Sequence, residues 1–291
     1  MTKKNFYKNF DFRAAESYIR LALKEDIGTG DVTTDLLVPA KNKSRAHLVL
    51  KEHGVVAGME LFRMVYKLVD PKVVIRTSCP EGVAIKGGTR IAEITGSSRS
   101  MLKAERLSLN IIQKMSGIAT ATFCMKRKLG SDKVKLVDTR KTTPNFRIFE
   151  KLAVKIGGGD NHRFGLYDMI LIKDNHIEAN KGIENTLKNL KKIIRKKELK
   201  IEIEVKDIIE FKKVMELGRG LVDIVMLDNF SIEEVRKAVK MNRGAFKIEI
   251  SGGVNHENIM NYGKIKGIDI ISVGALTHSV RSLDLSLEFV S

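Results

Sequence analysis

Six short apolar, β-branched segments recur through the second half of the chain, each ending in a polar or glycine residue and each followed by a helix-like stretch. They are Lys135 to Asp138, Asp168 to Ile172, Ile201 to Val205, Asp223 to Leu227, Phe246 to Ile250 and Ile268 to Val273. From the third onward their starts lie 22, 23 and 22 residues apart, room for a strand, a turn, a short helix and a second turn. Parallel strands need such crossovers, and crossovers of one hand wind into an open doubly wound sheet or a closed barrel. The alternation in Ile201-Glu202-Ile203-Glu204 and Phe246-Lys247-Ile248-Glu249-Ile250-Ser251 favours the barrel, with one face against helices and with acids and lysine turned into a polar interior. No strand is followed by the glycine fingerprint of a dinucleotide fold, which the open sheet would more often carry. The expectation is a C-terminal α/β barrel of about six parallel strands, TIM-like.

The first third has a different rhythm. Glu16 to Leu23 is helical by pattern, and Ser44 to Lys51, Gly54 to Gly58, Val73 to Ser78, Val83 to Ile85 and Thr89 to Thr95 read as short strands broken by proline and glycine. This predicts an antiparallel α+β sandwich domain over residues 1–116, with residues 276–291 packing back on it, and the barrel over residues 117–275. Between them, Ser100 to Leu129 carries one long helical pattern. Arg106, Asn110, Gln113 and Gly117 share one stripe, and Leu107, Ile111, Met115 and Ile118 form the apolar stripe beside it.

Composition narrows the class of function. Lysine and arginine outnumber the acids 52 to 35, a net charge of +17 that raises the question of a nucleic-acid partner. Much of the excess belongs to a solvated helix face in Lys181 to Lys200. There Ile183, Leu187, Leu190 and Ile194 form the apolar stripe, and Lys188, Lys191, Lys192, Arg195, Lys196 and Lys197 surround it. With 6% aromatic residues, no tryptophan and no zinc-finger spacing, the chain has little with which to stack bases. Cys79 and Cys124 stand without metal-ligand or framework spacing, no stretch reaches membrane-span length, and the N-terminus lacks a signal-peptide core, so a cytoplasmic enzyme is expected.

In a βα barrel the carboxyl ends of the strands surround the active site, so the candidate residues follow from the strand assignment. They are Thr139-Arg140-Lys141, Lys173-Asp174-Asn175-His176, Glu204, Asp228-Asn229, Ser251-Gly252-Gly253 and Gly274-Ala275. Arginine forks and lysine ammoniums recognise carboxylates and phosphates, and the open N–H groups of Ser-Gly-Gly and Gly-Ala turns can cradle a phosphate. Glu204 and Asp228 suit a hard cation such as Mg2+, sugar hydroxyls or a developing positive charge. The run Gly157-Gly158-Gly159-Asp160-Asn161-His162-Arg163 brings a further His-Arg pair. Each feature alone has a bland reading as a turn or a solvated charge; six consecutive strand ends with a consistent set of cations and acids do not.

Val137-Asp138-Thr139-Arg140-Lys141-Thr142-Thr143-Pro144, Gly157 to Arg163 and Leu171-Ile172-Lys173-Asp174-Asn175-His176-Ile177 closely resemble segments of the quinolinate phosphoribosyltransferases. The likeness extends in order through Glu25 to Thr34, Gly54 to Gly58, Glu105 to Asn110 and Ser116 to Thr120, nearly the whole chain. One departure is Asn145-Phe146-Arg147, where the family commonly has Gly-Leu-Arg. Asn tolerates the left-handed backbone better than most residues.

The resemblance implies transfer of phosphoribosyl from phosphoribosyl pyrophosphate to quinolinate with decarboxylation, giving nicotinate mononucleotide, pyrophosphate and CO2 for NAD synthesis. By that resemblance Arg140, His162, Arg163 and Lys173 hold the quinolinate carboxylates, and Lys141 and Lys173 lie near the phosphates. Thr139 and Ala275 belong to the same substrate-binding set. Glu204 and Asp228 take the ribose and Mg2+ side, and Ser251, Gly252, Gly253 and Gly274 take the 5-phosphate. Catalysis falls to Lys141, Glu204 and Asp228. The resemblance also implies a homodimer, or a hexamer built from such dimers, in which Arg106 reaches the neighbouring subunit's site. The nearest alternative is a relative of the same fold with another substrate, such as the ModD-like proteins; the intact Lys173 to His176 segment and His162-Arg163 favour quinolinate.

Overall fold

The computed structural model describes residues 6–194 and 198–290. Its elements run α1 (Phe12–Ile27), α2 (Val32–Leu37), β1 (Lys43–Leu50), β2 (Gly54–Val55), α3 (Met59–Val69), β3 (Val74–Thr77), β4 (Ala84–Ile85), β5 (Thr89–Ser97) and α4 (Ser98–Leu129). They continue β6 (Lys135–Val137), α5 (Arg147–Ile156), β7 (Ile170–Ile172), α6 (Asp174–Ala179), α7 (Ile183–Ile193), β8 (Ile201–Val205) and α8 (Ile208–Leu217). The last are β9 (Ile224–Asp228), α9 (Ile232–Asn242), β10 (Lys247–Ser251), α10 (Ile259–Gly263), β11 (Ile270–Ser272), α11 (Ala275–His278) and β12 (Leu285–Val290). None of the helices is long and apolar enough to cross a membrane among the described residues.

The chain forms two compact units. The first comprises residues 1–123, 142–158 and 276–291. Its antiparallel sheet has the order β12-β1-β5-β3, and the C-terminal strand pairs with β1 from Arg45↔Val290 to Leu50↔Leu285. The β1 side chains Ala46, Leu48 and Leu50 are fully buried, as are Leu61, Phe62 and Val65 of α3, because period-two and period-3.6 patterns each collect one apolar face. Asp11 starts α1 by accepting the Ala14 N–H at 3.0 Å.

The boundary drawn at residues 116 and 117 falls inside α4, which continues unbroken to Leu129. Gly117 has a packing reason to be glycine: a Cβ there would collide with the Arg281 carbonyl on the segment leading to β12. Residues 117–123 and 142–158 also group with the first unit, which a sequence boundary could not register because the unit is assembled from three pieces.

The second unit, residues 124–141 and 159–275, holds a parallel sheet of order β6-β11-β10-β9-β8-β7. From β7 onward each strand neighbours the next in sequence, and the sixth pairs with the first, through Ile270↔Lys135 to Ser272↔Val137. A doubly wound sheet would reverse its order at a switch point; this one proceeds around a barrel. No ladder joins β6 to β7 among the described residues, and at that seam Asp160 alone bridges to Val137.

Ile201, Ile203 and Val205 of β8 are buried, as are Phe211 and Val214 of α8 and Val235 and Ala238 of α9. Each large apolar side chain so buried stabilises by about 1.5–3 kcal/mol. Asp207 caps α8 by accepting from Ile209 and Glu210, and Ser231 and Glu234 form a reciprocal capping box on α9.

The alternation in β8 and β10 corresponds to two environments. Glu202 and Glu249 are fully buried, but Lys247 is exposed at the start of β10 and does not enter the interior. It lines a cavity of about 520 Å³ at the amino ends of the strands together with Asp223 and Asp269, which accept the Ile201 and Ile248 N–H groups. The basic helix is shorter than Lys181 to Lys200: α7 ends at Ile193, Ile183 and Leu187 are its buried stripe, and Ile194 is only half-buried. Lys188, Lys191 and Lys192 are exposed; Arg195, Lys196 and Lys197 lie outside the described residues.

Candidate active site

Because the six strands are parallel, their carboxyl ends share one rim. Thr139, Arg140 and Lys141 follow β6, Lys173 follows β7, Glu204 and Asp228 stand near or at the ends of β8 and β9, Ser251 closes β10, and Gly274 and Ala275 follow β11. Ser251 is the register partner of Asp228, so the Ser251-Gly252-Gly253 turn begins beside that acid.

The turn has a backbone reason for its glycines. Gly252 and Gly253 have φ of 83° and 62°, and a Cβ on Gly252 would collide with the Asn229 side chain. Asn229, itself at φ 56°, donates its backbone N–H to the Ser251 carbonyl at 2.9 Å and its side-chain amide to Asp228 at 2.9 Å. Thr139 Oγ1 accepts the Lys141 N–H at 3.0 Å, turning the chain as it leaves β6.

The acids and cations are electrically paired. Lys173 Nζ lies 3.1 Å from Glu204 Oε2. Burial raises the Glu204 carboxyl above its usual range, Lys173 works against that, and the charge of Asp228 adds to the rise. Two acids on adjoining strands, one of which disfavours charge on the other, are a donor set that gains from a bound cation, and their oxygens suit Mg2+. Burial and the charge of Arg140 together lower the Arg163 guanidinium, so this pair of cations gains from a bound anion.

The loop bearing His162 and Arg163 is held from beneath. Fully buried Asp138 accepts Asn161 Nδ2 at 2.6 Å and the His162 N–H at 3.0 Å. The His162 ring reaches into the barrel, with Nε2 3.1 Å from Glu202 and 3.5 Å from Glu249, while Nδ1 accepts the Arg163 N–H at 2.8 Å. Burial opposes charge on this ring, but the hydrogen bonds and charges of the two acids outweigh it and push it up to about 10. Glu202 is pushed up to about 7, by burial first and also by Glu249. The trio therefore retains a proton at neutrality. The Arg163 N–H occupies Nδ1, so the ring faces the acids as its Nε2–H tautomer and the further proton of the trio lies with Glu202, whose carboxyl burial raises.

The sequence reading missed Glu202, Glu249 and Asp138 as site supports. The available signal was a charged residue inside an otherwise apolar strand, which is costly unless paired. The ligand atoms of Glu202, Glu249 and His162 lie within 4.8 Å of one another, so these three have the spacing of a compact metal cluster.

Arg106 is exposed on α4 in the first unit. Asn145 adopts φ 61°, a left-handed conformation that asparagine tolerates better than most residues, and the turn closes with Phe146 N–H donating to the Thr143 carbonyl.

Comparison with known proteins gives a consistent result. The family model for the quinolinate phosphoribosyl transferase C-terminal domain matches residues 118–288, and that for the N-terminal domain matches residues 31–116. A chloroplastic nicotinate-nucleotide pyrophosphorylase [carboxylating] of Arabidopsis thaliana is 38% identical over 97% of this chain and 84% of its own. A probable nicotinate-nucleotide pyrophosphorylase [carboxylating] of Bacillus subtilis is 39% identical over 91% of this chain and 89% of its own. The crystal structure of NadC from Streptococcus pyogenes superposes with a TM-score of 0.90 at 36% identity, covering 98% of this chain and all of that one.

Proposed function

The chain belongs to the quinolinate phosphoribosyltransferase family, and from that premise we propose how the barrel rim carries out the family's reaction. The enzyme transfers phosphoribosyl from phosphoribosyl pyrophosphate to quinolinate with loss of CO2, giving nicotinate mononucleotide and pyrophosphate for NAD synthesis. The reaction needs a pocket that gathers many negative charges yet keeps an acidic side for a ribosyl centre turning positive. The observation that supports this rim as that pocket is the Lys173–Glu204 pair, a cation and an acid at the mouth of the barrel.

In this reading Arg140, Arg163 and Lys173 hold the two quinolinate carboxylates, and Lys141 and Lys173 meet the phosphates. Thr139 and the N–H groups of Ser251, Gly252, Gly253, Gly274 and Ala275 complete the phosphate side. Glu204 and Asp228 face ribose C1. As the quinolinate nitrogen forms its bond to C1, pyrophosphate leaves with the electron pair of the broken C–O bond, and the carboxylates stabilise the oxocarbenium-like charge between. The ring nitrogen is then positively charged and stabilises the electron pair left on the adjacent carbon as CO2 departs, and a proton bonds to that pair.

Mg2+ would be supplied with phosphoribosyl pyrophosphate. Glu204 and Asp228 are the hard oxygen donors that would meet it, directly or through water, and the ion would neutralise the departing pyrophosphate. Arg106 is assigned to the neighbouring subunit's site, which makes the working unit a homodimer or a hexamer of such dimers. With Cys79 and Cys124 both free thiols, a reducing compartment such as the cytoplasm suits the protein.

The test is an assay of purified protein with Mg2+, phosphoribosyl pyrophosphate and either quinolinate or nicotinate. Pyrophosphate and CO2 release with quinolinate alone is the expected result; turnover of nicotinate in its place would refute the substrate assignment.

A further inference from the structure

His162 stands where a carboxylate ligand is expected, yet both of its ring nitrogens are engaged by protein groups. Nε2 faces Glu202 at 3.1 Å and Glu249 at 3.5 Å, and Nδ1 accepts the Arg163 backbone N–H at 2.8 Å. Oriented this way, the ring presents no N–H to a substrate carboxylate. It connects two fully buried acids in the barrel interior to the backbone of Arg163 at the rim.

The acids are costly where they sit. Glu202 and Glu249 have no exposure, and apart from the His162 ring 3.5 Å away no donor reaches Glu249 among the described residues. A buried carboxylate without donors costs several kcal/mol unless a cation or a proton answers it. Two of them placed against one imidazole constrain that ring far more tightly than packing would. The loop is held a second time by Asp138, through Asn161 Nδ2 at 2.6 Å and the His162 N–H at 3.0 Å. The Arg163 side chain is fixed in turn by its hydrogen bond to the Met169 carbonyl at 3.2 Å.

We propose that Glu202, Glu249 and His162 form a buried positioning device that sets the Arg163 guanidinium for a substrate carboxylate, and that His162 acts through Arg163 instead of binding quinolinate itself. The inference rests on the reading that Arg163 takes a quinolinate carboxylate. Glu202 and Glu249 are positioning residues, and their contribution passes through the ring.

Steady-state kinetics of the full chain separate the two roles. Glu249→Gln and His162→Asn should each raise the quinolinate KM by about tenfold while the KM for phosphoribosyl pyrophosphate stays near the wild-type value, as small misplacements of a binding group do. The double variant should be no worse than His162→Asn alone, because the acid has nothing to act on once the ring is gone. Multiplying losses in the double variant, or a wild-type quinolinate KM in folded Glu249→Gln, would overturn the proposal.

Nitrogen NMR of protein labelled at histidine, assigned with His162→Asn, gives a reading on unaltered protein. The His162 proton should remain on Nε2 when quinolinate is added, whereas a new proton on Nδ1 would make His162 a direct ligand. Wild-type turnover of quinolinate, measured alongside, distinguishes failure of this device from failure of the reaction assignment.

Discussion

Lys173 Nζ lies 3.1 Å from Glu204 Oε2, so the cation after β7 answers the acid near the end of the neighbouring strand β8. Nearly half of the Lys173 side chain is exposed (46%), and a pair so wetted contributes about 1 kcal/mol or less to stability. In the proposed reading the pair holds an ammonium at the rim without letting the acid repel the anionic substrates. Lys173→Ala should therefore leave the thermal midpoint nearly unchanged and weaken quinolinate binding by about tenfold or more, roughly the loss of one charge-assisted contact. Kinetics and a thermal melt on the same preparation check it, and wild-type kinetics would remove Lys173 from the site.

Arg140 and Arg163 make the complementary case. Burial and mutual repulsion lower Arg163, so the free protein carries an electrostatic cost that a dianion relieves. Quinolinate alone should raise the wild-type thermal midpoint. Arg140→Ala should bind it about tenfold or more weakly, with a matching loss of the thermal shift. Equal shifts in both proteins would place the dianion elsewhere.

Much of this arrangement was legible before any coordinates. The spacing of β8, β9, β10 and β11 predicts parallel units, and reading the residue after each strand places Lys173, Glu204, Asp228 and Ser251 on one rim, because parallel strands leave no other option. What periodicity cannot convey is the partner of a buried charge. Glu202 and Glu249 alternate with isoleucine as a wet interior would require, but they meet His162, a loop residue 40 positions before Glu202. A helix has no local signal for where its neighbours change, so α4 runs through the boundary, with Gly117 marking a close approach of the backbone at Arg281.

The Ser251-Gly252-Gly253 turn yields a backbone prediction. At φ 83° Gly252 occupies a region costly to side chains, and a Cβ would collide with Asn229, whose amide holds Asp228. Gly252→Ala should lower stability by about 1–3 kcal/mol and raise the KM for phosphoribosyl pyrophosphate more than that for quinolinate. Gly253→Ala has open space around the added methyl, so its cost should be confined to backbone strain. Denaturant titration and paired KM values compare the two, and equal effects on both substrates would contradict a phosphate role for the turn.

In the first unit, Glu81 accepts the Met59 N–H at 2.9 Å and the Tyr7 hydroxyl at 2.9 Å, and burial raises its carboxyl above the usual range despite these bonds. A folded-state pKa above the unfolded value contributes stability that is fully present below the unfolded value and lost as pH rises through the folded one. Glu81→Gln keeps an acceptor for the backbone and cannot ionise. The variant should gain on wild type as pH rises from about 4.5 toward 7. Thermal midpoints of both proteins across that range test it; a difference that stays flat or moves the other way would contradict the assigned shift.

Arg106 carries the prediction about assembly. It is exposed on α4, and an isolated exposed arginine on a helix would ordinarily tolerate alanine with little effect. If it completes a neighbouring subunit's site, Arg106→Ala should abolish activity while the protein still assembles. Loss of activity alone would not distinguish that from a role within its own subunit. Mixing does: Arg106→Ala chains, expected to be inactive, and Lys173→Ala chains, expected to be impaired in quinolinate binding, are combined by denaturation and refolding. A mixed dimer then contains one site with both residues intact and one with neither. About half of the mixed assemblies' sites should regain wild-type turnover, counted against the dimer fraction from size-exclusion chromatography. Mixed dimers that form and stay inactive would assign Arg106 to its own subunit.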